Sequence, residues 1–524
     1  MSPAAGVHVE RVTEPSRLFG ANGIRTGPDG RIYVAQVAGS TISAVDVATG
    51  CIDTIAEKGG DIVGPDDVDF VADGSVVATE YLDARVSVMA PSGAVRVIRD
   101  DLPGVNGITV YRDRLFVNEC RPGGRLMELP LDGSAPRVLQ DNVAMPNAME
   151  VGPDGLLYYP VMALNEIWRI DPNGGEPQRV ASGLGVPDSV KFDPDGFIIS
   201  TQVNSGEVLR IDPRTGARTV LARLDAGLDN CTFVGDRLFV SHFSGEITEV
   251  LAGGRTRPLL RGGLLWPLDL TVGADDTLYI ADGTFLYALR DGGLQTVASL
   301  FSPRTPGYVR GLAVVDPGWF VSTTSSGEIT MFRTGFDDEP AVVADGFDQL
   351  YGIAVTSKGA FAFAEFGAGR VLSTSPSGPT QVLAEGLDGP KGVAVGPDDT
   401  VFVSESRGGR VVAIDGSGVD VIVDGLDSPQ GLLLRGRRLL IVDAGLRSLL
   451  EVDLDTKQVQ RLVEHLPVGV PNGVVAKPLN ASPPFAGPMG PFAGITAGRD
   501  GTIYISADAE GSVVAVHREE RNPA

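Results

Sequence analysis

A phrase of about forty residues recurs along this chain, and a period of that length is that of a four-stranded propeller blade. It runs as a small residue or Pro, a polar residue, Gly or another small residue, Val or Ile, three further positions, Asp-Gly, and then an apolar strand. Its polar position falls at Asn22, Asp66, Asn106, Asn147, Asp188 and Asp229. It recurs at Leu268, Arg310, Tyr351, Lys391, Gln430 and Ala493. The unit beginning at Val186 reads SVKFD, a PDG turn, FIIST, a turn at NSG, EVLRID and ARTVLA. Four short strands joined by Gly-bearing turns make a meander, because Gly accepts the positive φ that tight reversals require. Twelve units in one ring would leave an axial hole that no side chains could fill. The expectation is an all-β chain of two tandem six-bladed β-propellers with four-stranded antiparallel blades, over residues 13–262 and 263–524.

At 524 residues the chain exceeds what one hydrophobic core supports. The twelfth unit stops after its third strand, SVVAVH, while VHVERV at residues 7–12 is strand-like and unassigned. An open ring exposes two sheet edges, so this N-terminal piece is expected to close the second propeller. One unit breaks the period: between Val468 and Phe492 a Pro- and Gly-rich segment intervenes. It reads as a long loop on one face of the second propeller, either a lid over a pocket or a cap on the channel mouth.

The innermost strand of each blade lines the propeller axis, so its first residues converge at the channel mouth. In the first half all six are Asn or Asp; in the second none is. Asn and Asp favour turns, but the second half keeps the same turn without them, so turn chemistry alone does not require them. Three carboxylates and three amides around one axis repel strongly unless a cation or protons join them. An all-oxygen set suits a hard divalent ion, calcium first and Mg2+ or Mn2+ as alternatives. The expected ligands are Asn22, Asp66, Asn106, Asn147, Asp188 and Asp229.

The second strand of each blade runs back to the same face. In the first half its ends are Gln36, Glu80, Glu119, Val161, Gln202 and His242. Glu80, Glu119 and His242 join Asp188 as candidates for proton transfer, against the plainer reading of salt-bridged rim acids and a hydrogen-bonded histidine. In the second half Asp282, Glu365, Glu405 and Asp443 fall at these ends, with Arg310 and Lys391 at the ring positions. Such opposite charges are expected to pair with one another, leaving a structural or oligomerisation surface or, less favoured, a second ligand pocket.

A net charge of −24 argues against nucleic acid and anionic membranes as partners and leaves a small-molecule substrate, with homo-oligomerisation open. Three widely spaced cysteines fit neither a disulfide framework nor a zinc site, and a cytoplasmic location is expected. There is no Gly-x-Ser-x-Gly elbow, Walker loop or His-Glu-x-x-His motif.

The runs MPNAMEVGPDGLLYY around Asn147, VPDSVKFDPDGFI around Asp188 and DNCTFVGDRLFVSH around Asp229 carry a resemblance. The first propeller resembles the family of senescence marker protein 30, gluconolactonases and calcium-dependent phosphotriesterases of the diisopropyl-fluorophosphatase type. The resemblance implies a channel metal, with Asn106 and Asn147 as amide ligands and Asp188 as anionic ligand and candidate base. The family's first-blade Glu is replaced by Asn22, which shifts the anionic share towards Asp66 or Asp229. The function so implied is a metal-dependent hydrolase of a lactone or related ester. A metal-assisted lyase or isomerase, by similarity to virginiamycin B lyase, and a non-catalytic binding scaffold are the alternatives.

Overall fold

The computed structural model describes residues 1–300, 305, 307–333, 339–470, 474, 477, 479, 480 and 490–518. Those residues form twelve antiparallel sheets, eleven of four strands and one of five. Each is a meander, as in Lys191–Phe192, Ile198–Thr201, Glu207–Ile211 and Arg218–Arg223. The Asp-Gly reversals work as their chemistry requires. Asp193 accepts the amide N–H groups of Asp195 and Phe197, and Gly196 takes a φ of 81°. The two tandem propellers read from the repeat are therefore present.

The chain divides into two compact units. The first propeller comprises Arg17–Gly263 together with the described residues of Val474–Ser482. The second comprises Met1–Ser16, Leu264–Gly473 and the described residues of Pro483–Ala524. Within the first, the last blade is tied to the first blade by side chains: Thr26 donates to the Phe233 carbonyl at 2.7 Å, and Ser241 to that of Asn22 at 2.8 Å. The second is closed by backbone. Val7–Arg11 pairs antiparallel with Ser512–Arg518, and Ser2–Pro3 adds a fifth strand beside Val459–Glu464. These pairings cover sheet edges that would otherwise be exposed.

Alternation along each strand sends apolar side chains between blades. Tyr158, Ile167, Val190, Ile198 and Leu209 form one such buried layer. Each buried aliphatic side chain there contributes about 1.5–3 kcal/mol.

The innermost strands approach closely, which explains the small residue after each ring position. A Cβ on Gly107 would lie 2.6 Å from the Asn147 carbonyl oxygen, and one on Gly392 only 1.9 Å from that of Gln430. Side chains of the second strands bind the same carbonyls: Thr79 donates to Asn106, Asn118 to Asn147 and Ser404 to Gln430, at 2.6, 2.7 and 2.7 Å. The backbone of each ring residue is thus held by the preceding blade.

The segment between Val468 and Phe492 does not remain wholly with the second propeller, which corrects the expectation. Lys477 pairs with Asp61 at 3.3 Å and donates to the Gly60 carbonyl, and Asn480 donates to Asp83 at 2.8 Å. Leu479 is buried beside Gly64. An apolar side chain flanked by two polar anchors finds both kinds of partner on the first propeller. Residues 471–473, 475, 476, 478 and 481–489 of this segment lie outside the described residues. Among the described residues no helix is long and apolar enough to cross a membrane.

Candidate functional site

The six ring residues of the first propeller meet at the start of the innermost strands as three amide–carboxylate pairs. Asn22 donates to Asp229 at 3.3 Å, Asn106 to Asp66 at 2.8 Å and Asn147 to Asp188 at 3.1 Å. Asp188 and Asp229 lie close enough to bear on each other's protonation. The carboxylates are 8 %, 2 % and 6 % exposed at Asp66, Asp188 and Asp229. Burial, then Asp67, pushes Asp66 up to about 7. Burial followed by repulsion from Asp66 and Asp67 raises Asp188, and burial followed by repulsion from Asp188, Asp66 and Asp67 raises Asp229, both well above the carboxylate range.

A second layer lies three positions further along the same strands. It holds Arg25, Asp69, Glu150 and Lys191. Arg25 pairs with Glu150 at 2.6 Å and Asp69 at 3.2 Å, and Lys191 with Glu150 at 3.2 Å. Two cations face two anions, so this layer balances itself. Burial opposes its charges, yet Arg25 and Lys191 hold Glu150 below its usual value. Between the layers sits Asp67, accepting the N–H groups of Val68 at 2.9 Å and Ile108 at 3.3 Å. Burial pushes it to about 6 against the pull of Lys191 and Arg25. Sequence reading missed this layer and Asp67, although charged residues inside an otherwise apolar strand, as in PDDVDF, were the available signal. Cys120 and Met162 line the wall behind the ring, with sulfurs 3.8 Å apart and the Met162 sulfur 3.1 Å from the Asn147 amide nitrogen.

Residues 7–242 match the family model described as SMP-30/Gluconolactonase/LRE-like region. The first propeller is similar to that family. The match supports a lactonase-like propeller over the N-terminal part of the chain. Among solved structures, regucalcin, a calcium-binding protein from Agrobacterium tumefaciens, is 18 % identical, with 50 % of this chain and 98 % of that one covered and a TM-score of 0.38. A gluconolactonase from Xanthomonas campestris is 16 % identical, with 46 % and 89 % covered and a TM-score of 0.37. A streptogramin B lyase is 13 % identical, with 71 % and 93 % covered and a TM-score of 0.27. No curated protein matches the chain.

In this SMP-30/gluconolactonase-like propeller the strand-end acids serve the frame. Glu80 accepts the Val63 N–H at 2.6 Å and is bound by Arg85 and Ser87. Gln36 and Gln202 likewise accept the N–H groups of Phe19 and Gly185, at 2.8 and 2.9 Å. Each acceptor lies seventeen residues after its donor, so the end of a blade's second strand latches the loop entering that blade. Glu119 is held by Arg121 and Arg125. His242 accepts the Ser244 N–H at Nδ1, and its Nε2 meets the Ala226 carbonyl at 2.8 Å. That pattern fixes a neutral imidazole, and burial lowers its pKa further. Glu80, Glu119 and His242 are thus engaged outside the ring, whereas Asn22, Asp66, Asn106, Asn147, Asp188 and Asp229 are brought together.

The second propeller repeats the latch. Asp282 accepts from Leu265 and Trp266, Glu365 from Asp348, Glu405 from Asp388, and Asp443 from Asp427 and Ser428. Glu365 and Glu405 also pair with Arg370 and Arg410. The expected pairing of these acids with Arg310 and Lys391 is therefore corrected: backbone donors and adjacent arginines claim them first.

Among the described residues no three His, Cys, Asp or Glu side chains stand ready to ligate one ion. The donor chemistry of the first ring nevertheless fits a hard cation. It offers three buried carboxylates and three amide oxygens, that of Asn147 buried and those of Asn22 and Asn106 on half-buried side chains, and among the described residues no basic side chain bonds to this layer.

Proposed function

We propose that the first propeller is a hydrolase of lactones or related esters that uses a divalent cation, calcium in the first instance, at its Asn/Asp ring. The observation that carries this reading is the contrast between two adjacent layers of one channel. The inner layer neutralises itself, while the mouth gathers Asp66, Asp188 and Asp229 around amides alone. The family match to a lactonase-like propeller supports the substrate class.

Asp66, Asp188 and Asp229 would hold the ion, with Asn22, Asn106 and Asn147 turning their amide oxygens inward to complete the set. When bound, a hard divalent cation supplies Lewis acidity towards an ester carbonyl. The chain's own residues manage the proton. Asp188 and Asp229, neighbours in the ring, take a proton from attacking water and return it to the leaving alkoxide. The Arg25–Glu150–Lys191 layer closes the channel beneath and limits water to the mouth.

The test is metal analysis of the purified protein, with turnover of a panel of γ- and δ-lactones before and after chelation. Hydrolysis lost on chelation and restored by calcium is expected. A metal-free protein whose turnover ignores chelators would sink the reading.

A further inference from the structure

The charged layer beneath the first ring has no counterpart in the second propeller. Three positions after the ring the first propeller carries Arg25, Asp69, Glu150 and Lys191, whereas the second carries Thr271, Ala313, Ala354, Ala394, Leu433 and Thr496 at the same offset. Such short side chains do not fill the channel. Thr271, Ala313, Ala354 and Thr496 line, together with Asp269 and Phe492, a cavity of ≈ 300 Å³ in which Asp269 is the one charged lining residue.

The acid beside the layer does recur. Asp269 stands one position after the ring, as Asp67 does, and is held in the same way: it accepts the N–H of its own successor, Leu270, and that of Leu312 in the next blade, both at 3.0 Å. Asp67 has Lys191 and Arg25 to offset its charge. Asp269 is 8 % exposed and pairs with no cation among the described residues. Arg310 and Lys391 of the second ring do not supply one: they donate to the Leu350 and Pro491 carbonyls, at 3.3 and 2.7 Å, and burial, opposed only by the two N–H groups, pushes Asp269 up to about 7. A buried carboxylate without a counterion is costly, and a carboxylate accepts about four hydrogen bonds, so two N–H groups leave it open to more. Arg25 belongs to the blade before that of Asp67. The residue so placed before Asp269 is Thr496, on the wall of the cavity.

We infer that the channel of the second propeller binds a small organic ammonium ion, its head against Asp269 and the Thr271 and Thr496 hydroxyls and its body against Ala313, Ala354 and Phe492. The ligand brings the cation that the first propeller builds into its own strands. An ammonium group carries three donors, which one carboxylate and two hydroxyls can accept, and alkyl and aromatic walls suit an organic body. A hard divalent ion, which takes about six or more oxygens, finds a single carboxylate here. The site is independent of the metal reading of the first propeller.

The experiment is calorimetric titration of the full chain with n-butylammonium and its neutral counterpart n-butanol at about pH 8.5, where Asp269 is ionised and an alkylammonium still charged, in excess calcium and again in chelator. Hydrogen exchange read by mass spectrometry locates the ligand. n-Butylammonium is expected to bind with a Kd of about 1 mM or tighter and n-butanol about tenfold or more weakly, alike in both media. Exchange should slow in Val309–Asp316 and Leu350–Val355 and stay unaltered in Arg17–Gly263. Thr496→Arg, which gives this channel a resident cation as Arg25 does the other, should weaken n-butylammonium by about tenfold or more. Should circular dichroism show that variant unfolded, Ala354→Leu, which fills the cavity, takes its place with the same loss expected. No binding of n-butylammonium up to about 10 mM, n-butanol binding equally well, slowed exchange confined to Arg17–Gly263, or unchanged affinity in the folded variant would each overturn the site.

Discussion

The two rings occupy the same positions in the same kind of blade and carry opposite charge. Around Asp66, Asp188 and Asp229 the side chains are acids and amides; around Arg310 and Lys391 they are cations and an aromatic ring. The surroundings barely differ. In both propellers a residue at the end of the second strand latches the entering loop, as Glu80 does for Val63 and Glu405 for Asp388. In both, a hydroxyl or amide from the second strand fixes the next ring residue's carbonyl. The frame is therefore indifferent to what the ring displays. Ring residues can change sign because their backbones, not their side chains, hold the blades together.

The strongest way to break the comparison is to attack the frame. Gly392→Ala places a methyl against the Gln430 carbonyl and should cost about 3 kcal/mol in the second propeller, the upper range for overpacking. Hydrogen exchange read by mass spectrometry should show faster exchange in residues 264–470, with residues 17–263 unaltered. Equal loosening of both would mean that the rings are not independent frames.

A smaller effect separates the rings by pH. Asp66 is raised from 3.8 to about 7 in the folded chain, so folding takes up protons there. Chelated protein should lose first-propeller stability as pH climbs from 4 through 7, and calcium should flatten that slope. Lys391 is lowered from 10.5 to about 8, so the unfolded chain holds the proton more firmly. The second propeller should gain stability as pH rises from 8 towards 10.5. Asp269, also raised to about 7 by burial, gives the second propeller the same downward slope below pH 8. Exchange measured separately for each propeller from pH 8 to 10 should therefore show stability rising in the second alone; a rise in both, or in neither, would refute the charge contrast.

The smallest effect sharpens the division between ring and latch. Glu80→Gln retains one oxygen to accept the Val63 N–H, while its other oxygen becomes an NH2 that no longer accepts from Arg85 Nε and Ser87. It should cost about 1 kcal/mol and leave lactone turnover within about twofold. Asp188→Asn, equally conservative in shape, should abolish turnover while raising the stability of chelated protein by about 1 kcal/mol through relieved repulsion. Similar kinetic losses in the two variants would return Glu80 to the chemistry.

The blades were legible because each repeats a local device. Asp-Gly at Asp195–Gly196 reverses the chain wherever it occurs, and the small residue before Val or Ile records the close approach of Asn147 to Gly107. The first ring was legible for the same reason, since one position per repeat converges on one axis. Partners were not. Glu80, Glu365 and Asp443 are acids at strand ends, and nothing in an acid's position says that a backbone N–H sixteen or seventeen residues earlier will occupy it. The same gap led to the expectation that Arg310 and Lys391 would meet the acids across the channel. The Arg25–Glu150–Lys191 layer was overlooked because its members lie in different repeats, and only their shared offset from the ring reveals them. Lys477 and Leu479 escaped because sequence proximity suggested the wrong host.

Residues 1–16 and the described residues of 474–482 each belong to the unit on the far side of the sequence midpoint from themselves or their neighbours. A gene split after Gly263 would yield one fragment stripped of Leu479 and its anchors. The other would carry Ser512–Arg518 as a bare, sticky margin. Evolution cannot shed either half by a single stop codon or a late start without damaging the one that remains, so the tandem, once formed, is locked in.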